Sequence, residues 1–222
     1  MRVKICGITD MADALMAVSF GAHALGFLIG LDYSTDDEIA PSVARDIIAE
    51  IPPFVSTVLV THRTDPGWVV KTAREIGCST VQLHGDMPLE AIPSIREELP
   101  HLRVTRVVHV TGETSVERAA TVAKWADAIH LDTLTPTRVG GTGLTHDWSI
   151  SARIVKEVGK PVILSGGLTP DNVRQAIATV RPFAVDVNTG VDAKSGVGSL
   201  DGKKSAEKVR CFLDLANGTG GR

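Results

Sequence analysis

Three glycine clusters in the last third of the chain have the composition of an anion cradle: Gly140-Gly141-Thr142-Gly143, Ser165-Gly166-Gly167 and Asn188-Thr189-Gly190. Glycine lets backbone N–H groups approach a phosphate closely, and the hydroxyls and the amide add donors. One such cluster reads equally well as a tight turn; three of them point to a phosphorylated ligand. Its expected contacts are Gly141, Thr142, Gly143, Ser165, Gly166, Gly167, Asn188, Thr189 and Gly190. Two more residues suit proton transfer. Cys6, followed by Gly7, is a base if it ionises and otherwise a small inert hydrophobe. Asp132 follows Ile129, His130 and Leu131, and a carboxyl in partly apolar surroundings can keep its proton at neutral pH and act as an acid.

These residues need a scaffold that gathers them. Short β-rich runs fall at 3–6, 24–29, 55–62, 79–84, 104–110, 127–132, 161–165 and 183–188, with helix-patterned segments between them. Eight βα units predict a (β/α)₈ barrel, a TIM barrel; a doubly wound open sheet is the structural alternative. Asp10 should cap a helix through Phe20, Pro41 should open one through Glu50, and Thr169-Pro170-Asp171 one through Val180. Gly21 and Gly77 sit where helices should stop. We assign residues 1–216 to one barrel domain and 217–222 to a flexible tail. Such barrels keep their chemistry at the carboxyl ends of the strands. Those ends are polar here: Cys6, His62, His84, His109, His130, Asp132, Ser165 and Asn188.

Composition narrows the partner. The 222 residues carry 23 Lys and Arg against 26 Asp and Glu, a net charge of −3, so there is no basic field for nucleic acid or an anionic membrane. Aromatic residues make up only 4%, too few for base-stacking platforms. No apolar run approaches the roughly 18 residues of a membrane helix. Cys6, Cys78 and Cys211 have neither disulfide nor zinc-knuckle spacing, which fits a reducing cytoplasm. The expected partner is a small phosphorylated substrate, bound by a monomer or homodimer.

Val3-Lys4-Ile5-Cys6-Gly7-Ile8-Thr9, Val81-Gln82-Leu83-His84-Gly85, Leu131-Asp132-Thr133, Gly140-Gly141-Thr142-Gly143 with Asp147-Trp148, Leu164-Ser165-Gly166-Gly167-Leu168, Asn172-Val173, and Val185-Asp186-Val187-Asn188-Thr189-Gly190-Val191 follow one another along most of the chain. With these motifs, in family order, the chain resembles the phosphoribosylanthranilate isomerase family of tryptophan biosynthesis. The resemblance implies a (β/α)₈ barrel and a cofactor-free Amadori rearrangement of a phosphoribosylamine to a 1-deoxyribulose phosphate. It implies that Cys6 is the base that takes the proton from the second sugar carbon. By the same likeness Asp132 is the acid that protonates the ring oxygen, and Asp186 supports the site.

The departures concern the aglycone. The family's loop after the second strand carries an arginine for the anthranilate carboxylate; here residues 32–38 read DYSTDDE, Asp37 falls near that position, and no arginine lies between Arg2 and Arg45. Asp36, Asp37 and Glu38 would repel a carboxylate. The third strand ends in Thr61-His62-Arg63, from which Arg63 could reach in as a substitute, and His146 stands at a commonly aromatic position. His62, His84, His109 and His130 end four successive strands, and with Asp32 and Asp36 they have the chemistry of a transition-metal site. Alternate strand residues should face outward, and His84 belongs to a motif the metal-free family already has. We therefore assign no metal ligand and no cofactor. Besides the isomerase itself, two readings stay open: a paralogue that processes another phosphorylated sugar or phosphate ester, and a non-catalytic phosphosugar-binding barrel. No strand-end lysine supports a Schiff-base aldolase, since Lys4 lies inside its strand.

Overall fold

The structure, a computed structural model, describes residues 1–135, 138–139, 145–193 and 202–218. Apolar residues in the expected runs form β1 (Arg2–Ile5), β2 (Ala24–Leu28), β3 (Ser56–Thr61), β4 (Thr80–Leu83), β5 (Arg103–His109), β6 (Ala128–Asp132), β9 (Val162–Leu164) and β10 (Ala184–Val187). All eight pair in parallel and close a barrel in the order β1-β10-β9-β6-β5-β4-β3-β2. The open-sheet alternative is thereby excluded. Between them run α1 (Met11–Ser19), α2 (Pro41–Ile48), α3 (Pro66–Ile76), α4 (Ile92–Glu98), α5 (Thr114–Val122), α6 (Trp148–Glu157), α7 (Val173–Val180) and α8 (Ala206–Asn217). The sequence pattern did not announce a two-residue antiparallel ladder after β6, β7 (Leu134–Thr135) with β8 (Arg138–Val139).

Caps explain the helix boundaries. The Asp10 carboxylate accepts from the Asp13 N–H, as expected for α1, and Asp65 and Asp147 cap α3 and α6 in the same way. α7 starts at Val173, later than the Thr169-Pro170-Asp171 signal suggested. Asn172 Oδ1 accepts the Thr169 N–H at 2.9 Å, and this turn holds Pro170 and Asp171 outside the helix. α2 stops at Ile48, two residues short of Glu50. α8 runs through Asn217, one residue into the segment expected to be tail, and Gly218 caps it.

Strand alternation then sorts side chains into two populations. Val3, Ile5, Leu25, Phe27, Leu59, Val81, Leu83, Val104, Val108, Ile129, Leu131, Leu164 and Val185 pack outward into the helical layer, which forms the main core. Residues of the opposite parity point into the barrel. Its amino-terminal end is plugged by Ala128, Ile163 and Ala184. Higher up lie Lys4, Gln82, His130 and Asp186, all buried and polar, and above them open the strand ends.

Candidate active site

The base side of the site rests on a buried ion pair. Lys4 on β1 and Asp186 on β10 are register partners, and Lys4 Nζ donates to Asp186 Oδ2 at 2.9 Å. His130 Nε2 meets the same oxygen at 2.9 Å from β6. Burial pushes the Asp186 carboxyl up, but the Lys4 ammonium and the His130 imidazole outweigh it and hold the group down at about 2. Burial works against the Lys4 charge too, yet Asp186 and the neighbouring Cys6 leave the ammonium above its ordinary range. Cys6 follows directly, its N–H donating to the Val187 carbonyl at 2.8 Å. Burial drives its thiol up to about 11, against the downward pull of Lys4. Both side chains lie over Gly26 of β2, where a Cβ would stand 2.7 Å from Cys6 Sγ and 2.9 Å from Lys4 Nζ. Only glycine leaves that space.

Asp132 ends β6 on the far side of the mouth. Its Oδ1 accepts the Thr133 N–H at 2.8 Å, and its Oδ2 lies 3.4 Å from His84 Nε2. Burial raises its carboxyl, but His84, the Thr133 amide and His109 together bring it below its usual value. This corrects the expectation of a carboxyl kept protonated by apolar surroundings: the walls of the mouth are imidazoles rather than hydrocarbon, and they favour the charge. The rings of His62, His84 and His109 form a continuous row with centroids 5.1 and 5.4 Å apart, and Tyr33 extends it beyond His62 at 5.3 Å. Burial lowers His62 and His109, the latter to about 4, and the adjacent His84 adds to both shifts. The expectation that alternation would turn some of these histidines outward is also corrected. His62 and His84 line the mouth and His130 lies a layer below, because all three share the inward parity of their strands.

Opposite this row lie the loops after β9 and β10. Gly166 and Gly167 have φ of +84° and +67°, a left-handed pair that only glycine adopts readily, and Gly190 lies against the Leu168 carbonyl of the same loop region. Ser165 is present, but its hydroxyl donates to the Leu131 carbonyl at 2.6 Å, tying β9 to β6. Asn188 is a bridge: its Nδ2 donates to Asp37 Oδ2 at 2.7 Å, and its Oδ1 accepts from the Lys204 ammonium at 2.7 Å. Lys204 also pairs with Asp192 at 2.6 Å. The β2–α2 loop is thus anchored across the mouth. Glu38 Oε1 accepts the Gly30 and Leu31 N–H groups at 2.9 and 3.0 Å, and Asp37 accepts from the Thr35 hydroxyl. The expected acidic field is therefore largely spent inside its own loop. Asp32, 67% exposed, stands 3.7 Å from His62.

One cavity gathers these parts, with about 870 Å³ of space counting its open mouth. Of the residues expected from sequence, Cys6, Asp37, His62, His84, Asp132, Ser165, Gly166, Gly167, Asp186, Asn188, Thr189 and Gly190 line it. Gly141, Thr142 and Gly143 lie outside the described residues. Arg63 does not line it: the guanidinium stacks over the Trp68 ring, 5.7 Å from its centroid, so a cation–π contact holds it at the surface. Sequence reasoning missed the apolar wall of Leu28, Leu31, Tyr33 and Val60, which alternation along β2 and β3 could have revealed. It also missed Lys204, for which the sequence carries no signal. Gln82 Oε1 and Asp186 Oδ1 are buried without a hydrogen-bond partner among the described residues, acceptors suited to sugar hydroxyls. The whole can hold a phosphate at one end and an aromatic group at the other, with a thiol and a carboxyl across the middle.

Known proteins share this plan. The family model described as N-(5'-phosphoribosyl)anthranilate (PRA) isomerase matches residues 3–215. N-(5'-phosphoribosyl)anthranilate isomerase 2 of Methanosarcina mazei is 42% identical over 97% of this chain and 94% of its own length. A crystal structure of phosphoribosyl anthranilate isomerase in complex with reduced 1-(o-carboxyphenylamino)-1-deoxyribulose 5-phosphate superposes with a TM-score of 0.82 at 38% identity, covering 98% of this chain and 99% of that one. Monomers generated from the dimeric enzyme of Thermotoga maritima superpose at 0.81 and 36% identity, with the same coverage.

Proposed function

The chain belongs to the N-(5'-phosphoribosyl)anthranilate isomerase family, and we infer that it catalyses this isomerisation itself, within tryptophan biosynthesis. It converts N-(5'-phosphoribosyl)anthranilate to 1-(o-carboxyphenylamino)-1-deoxyribulose 5-phosphate. The observation that carries the reading is a single cavity lined by Cys6, Asp132 and the Gly166-Gly167 and Gly190 loops. Neither a paralogue with another substrate nor a non-catalytic barrel gains support from the comparisons. The reaction is internally balanced: the second sugar carbon is oxidised to a ketone while the first is reduced to a methylene. It therefore calls for no external oxidant, reductant or cofactor.

In our reading Asp132 gives a proton to the furanose ring oxygen as the bond from that oxygen to the first carbon breaks, leaving a carbon–nitrogen double bond. Cys6 as thiolate then takes the proton from the second carbon, giving an enolamine that becomes the ketone once the first carbon is protonated. Asp132 is held below the usual carboxylate range and the Cys6 thiol is pushed up to about 11, so both must exchange protonation states with substrate bound. Two features favour that exchange. The substrate phosphate and carboxylate bring negative charge toward Asp132, and Lys4 stabilises the thiolate. Asp186 acts from beneath by holding Lys4 charged. Ser165, Thr189 and Asn188 shape the phosphate end.

The aglycone ring packs on Leu28, Leu31, Tyr33 and Val60. Its carboxylate meets His62 in place of the missing arginine. His62 Nδ1 accepts the Asp32 N–H at 3.4 Å, which leaves Nε2 carrying the hydrogen and able to donate. His84 stands beside it, its ring centroid 5.1 Å from that of His62. The partner is thus a small phosphorylated molecule, and the net charge of −3 argues against nucleic acid. No described helix is long and apolar enough to cross a membrane. A cytoplasmic location fits Cys6, Cys78 and Cys211, all free thiols.

The assembly we propose is a homodimer, like the dimeric enzyme of Thermotoga maritima. Phe54, fully exposed just before β3 on a backbone with φ of +73°, is its candidate contact. Sedimentation of the wild type and of Phe54→Ser tests this, the dimer being lost in the variant. The activity itself is tested by adding phosphoribosylanthranilate and following loss of its fluorescence, with NMR detection of the new methylene. A well-folded protein that leaves the substrate unchanged overturns the reading.

A further inference from the structure

We propose that His84, His109 and Asp132 form a binding site for a divalent transition-metal cation of the zinc class, and that its occupancy excludes the substrate. The three residues stand at the ends of β4, β5 and β6, which are neighbours in the barrel; His109 is the register partner of Asp132. One donor atom from each, two ring nitrogens and a carboxylate oxygen, lie within 4.8 Å of one another. His84 Nε2 and Asp132 Oδ2 are already 3.4 Å apart. That matches the roughly 3.3 Å between donors on a tetrahedral zinc ion with bonds of about 2.0–2.1 Å.

The hydrogen bonding points the same way. His84 Nε2 and His109 Nδ1 are buried and have no hydrogen-bond partner among the described residues. Two orphaned imidazole nitrogens beside one carboxylate are costly, and a shared cation satisfies both. The Thr133 N–H holds Asp132 Oδ1 at 2.8 Å and so turns Oδ2 toward the imidazoles, as outer hydrogen bonds orient ligating carboxylates. Magnesium and calcium prefer oxygen donors, whereas two nitrogens and one carboxylate suit zinc, cobalt or nickel and leave a position open for water. Cys6 follows β1, which lies three strands from β6 around the barrel, and is not a member of the cluster. The inhibitory consequence rests on the isomerase reading: a cation on Oδ2 keeps Asp132 from holding the proton it must deliver. The binding site itself does not rest on it.

The test uses the full chain freed of metal by a chelator. Titration with zinc chloride in a calorimeter should give one site per chain, and cobalt chloride should give the visible bands of a low-coordinate nitrogen–oxygen site. Micromolar free zinc should abolish turnover in competition with substrate, reversibly on adding chelator. In His109→Gln the calorimetric affinity for zinc should fall by at least about tenfold, and the zinc needed to halve the variant's own turnover in chelator should rise by the same factor. Absence of one-site binding overturns the proposal. So does binding that survives His109→Gln but is lost in Cys6→Ser, which would place the metal on the thiol. A protein that binds cobalt as described yet never turns over phosphoribosylanthranilate would refute the isomerase reading and leave the metal site standing.

Discussion

Lys4 and Asp186 face each other across β1 and β10 and meet at 2.9 Å, directly beneath the Cys6 thiol. Removing one partner leaves the other charge buried and unpaired, which typically costs about 3–5 kcal/mol. Lys4→Met should therefore lower unfolding free energy by that order in urea titrations. It should also push the Cys6 thiol above its present value of about 11, because the nearest cation is gone. In a Cys211→Ser background, iodoacetamide alkylation of Cys6, separated from Cys78 by peptide mass spectrometry, should rise steeply from pH 8 to 10 without a plateau, and more slowly still in Lys4→Met. A plateau near neutral pH would show a thiolate already formed.

Acid should weaken the fold through the same carboxylate. Asp186 is held at about 2 in the fold, against about 3.9 in an unfolded chain. A depressed carboxyl stabilises the fold above the unfolded value and loses that contribution as pH falls toward the folded one. The unfolded state binds the extra proton in that window, so stability drops between about pH 5 and pH 2, by roughly 2–3 kcal/mol. Asp186→Asn should flatten this part of the profile in denaturant titrations, while an unchanged slope would assign it to other carboxyls.

Gly26 makes room for the base. A methyl there would stand 2.7 Å from Cys6 Sγ, closer than real contacts allow. Gly26→Ala should fold, by circular dichroism, yet lose about 10²-fold or more in kcat/KM because a displacement near 1 Å is enough for that. Near-native turnover would mean that Cys6 can shift without consequence.

His62 should govern affinity rather than chemistry. His62→Ala is expected to raise KM by about ten- to a hundredfold, the loss of one hydrogen bond to a charged group, with kcat little changed. His62→Gln should restore part of it through the side-chain amide. A fall in kcat at constant KM would place His62 in the chemical step instead.

Much of this was legible in the sequence, for identifiable reasons. The strand runs and caps were legible as eight βα units because β-rich runs and Asp-capped helix starts are local signals, and Asp10 caps α1; closure of the sheet into a barrel is non-local, and the strand pairing supplies it. Cys6, Asp132 and the Gly166-Gly167 loop fell at strand ends, where the fold makes position meaningful. What escaped was relational. Asp132 looked like a protonated acid until His84 and His109 were seen beside it, and the charge of residues 32–38 looked repulsive until Glu38 and Asp37 were found bound within the loop and to Asn188. α7 began late because a side-chain bond from Asn172, not the proline, decided its start.

In the reaction proposed above, Cys6 and Asp132 work as a pair on phosphoribosylanthranilate. The direct measurement is steady-state loss of substrate fluorescence for the wild type, Cys6→Ser and Asp132→Asn, with binding of the reduced product analogue measured in parallel. The account predicts wild-type turnover, a fall of about 10²–10⁴-fold in kcat for each variant, and analogue affinity changed far less. Variants that fold, bind the analogue and turn over at wild-type rates would contradict it.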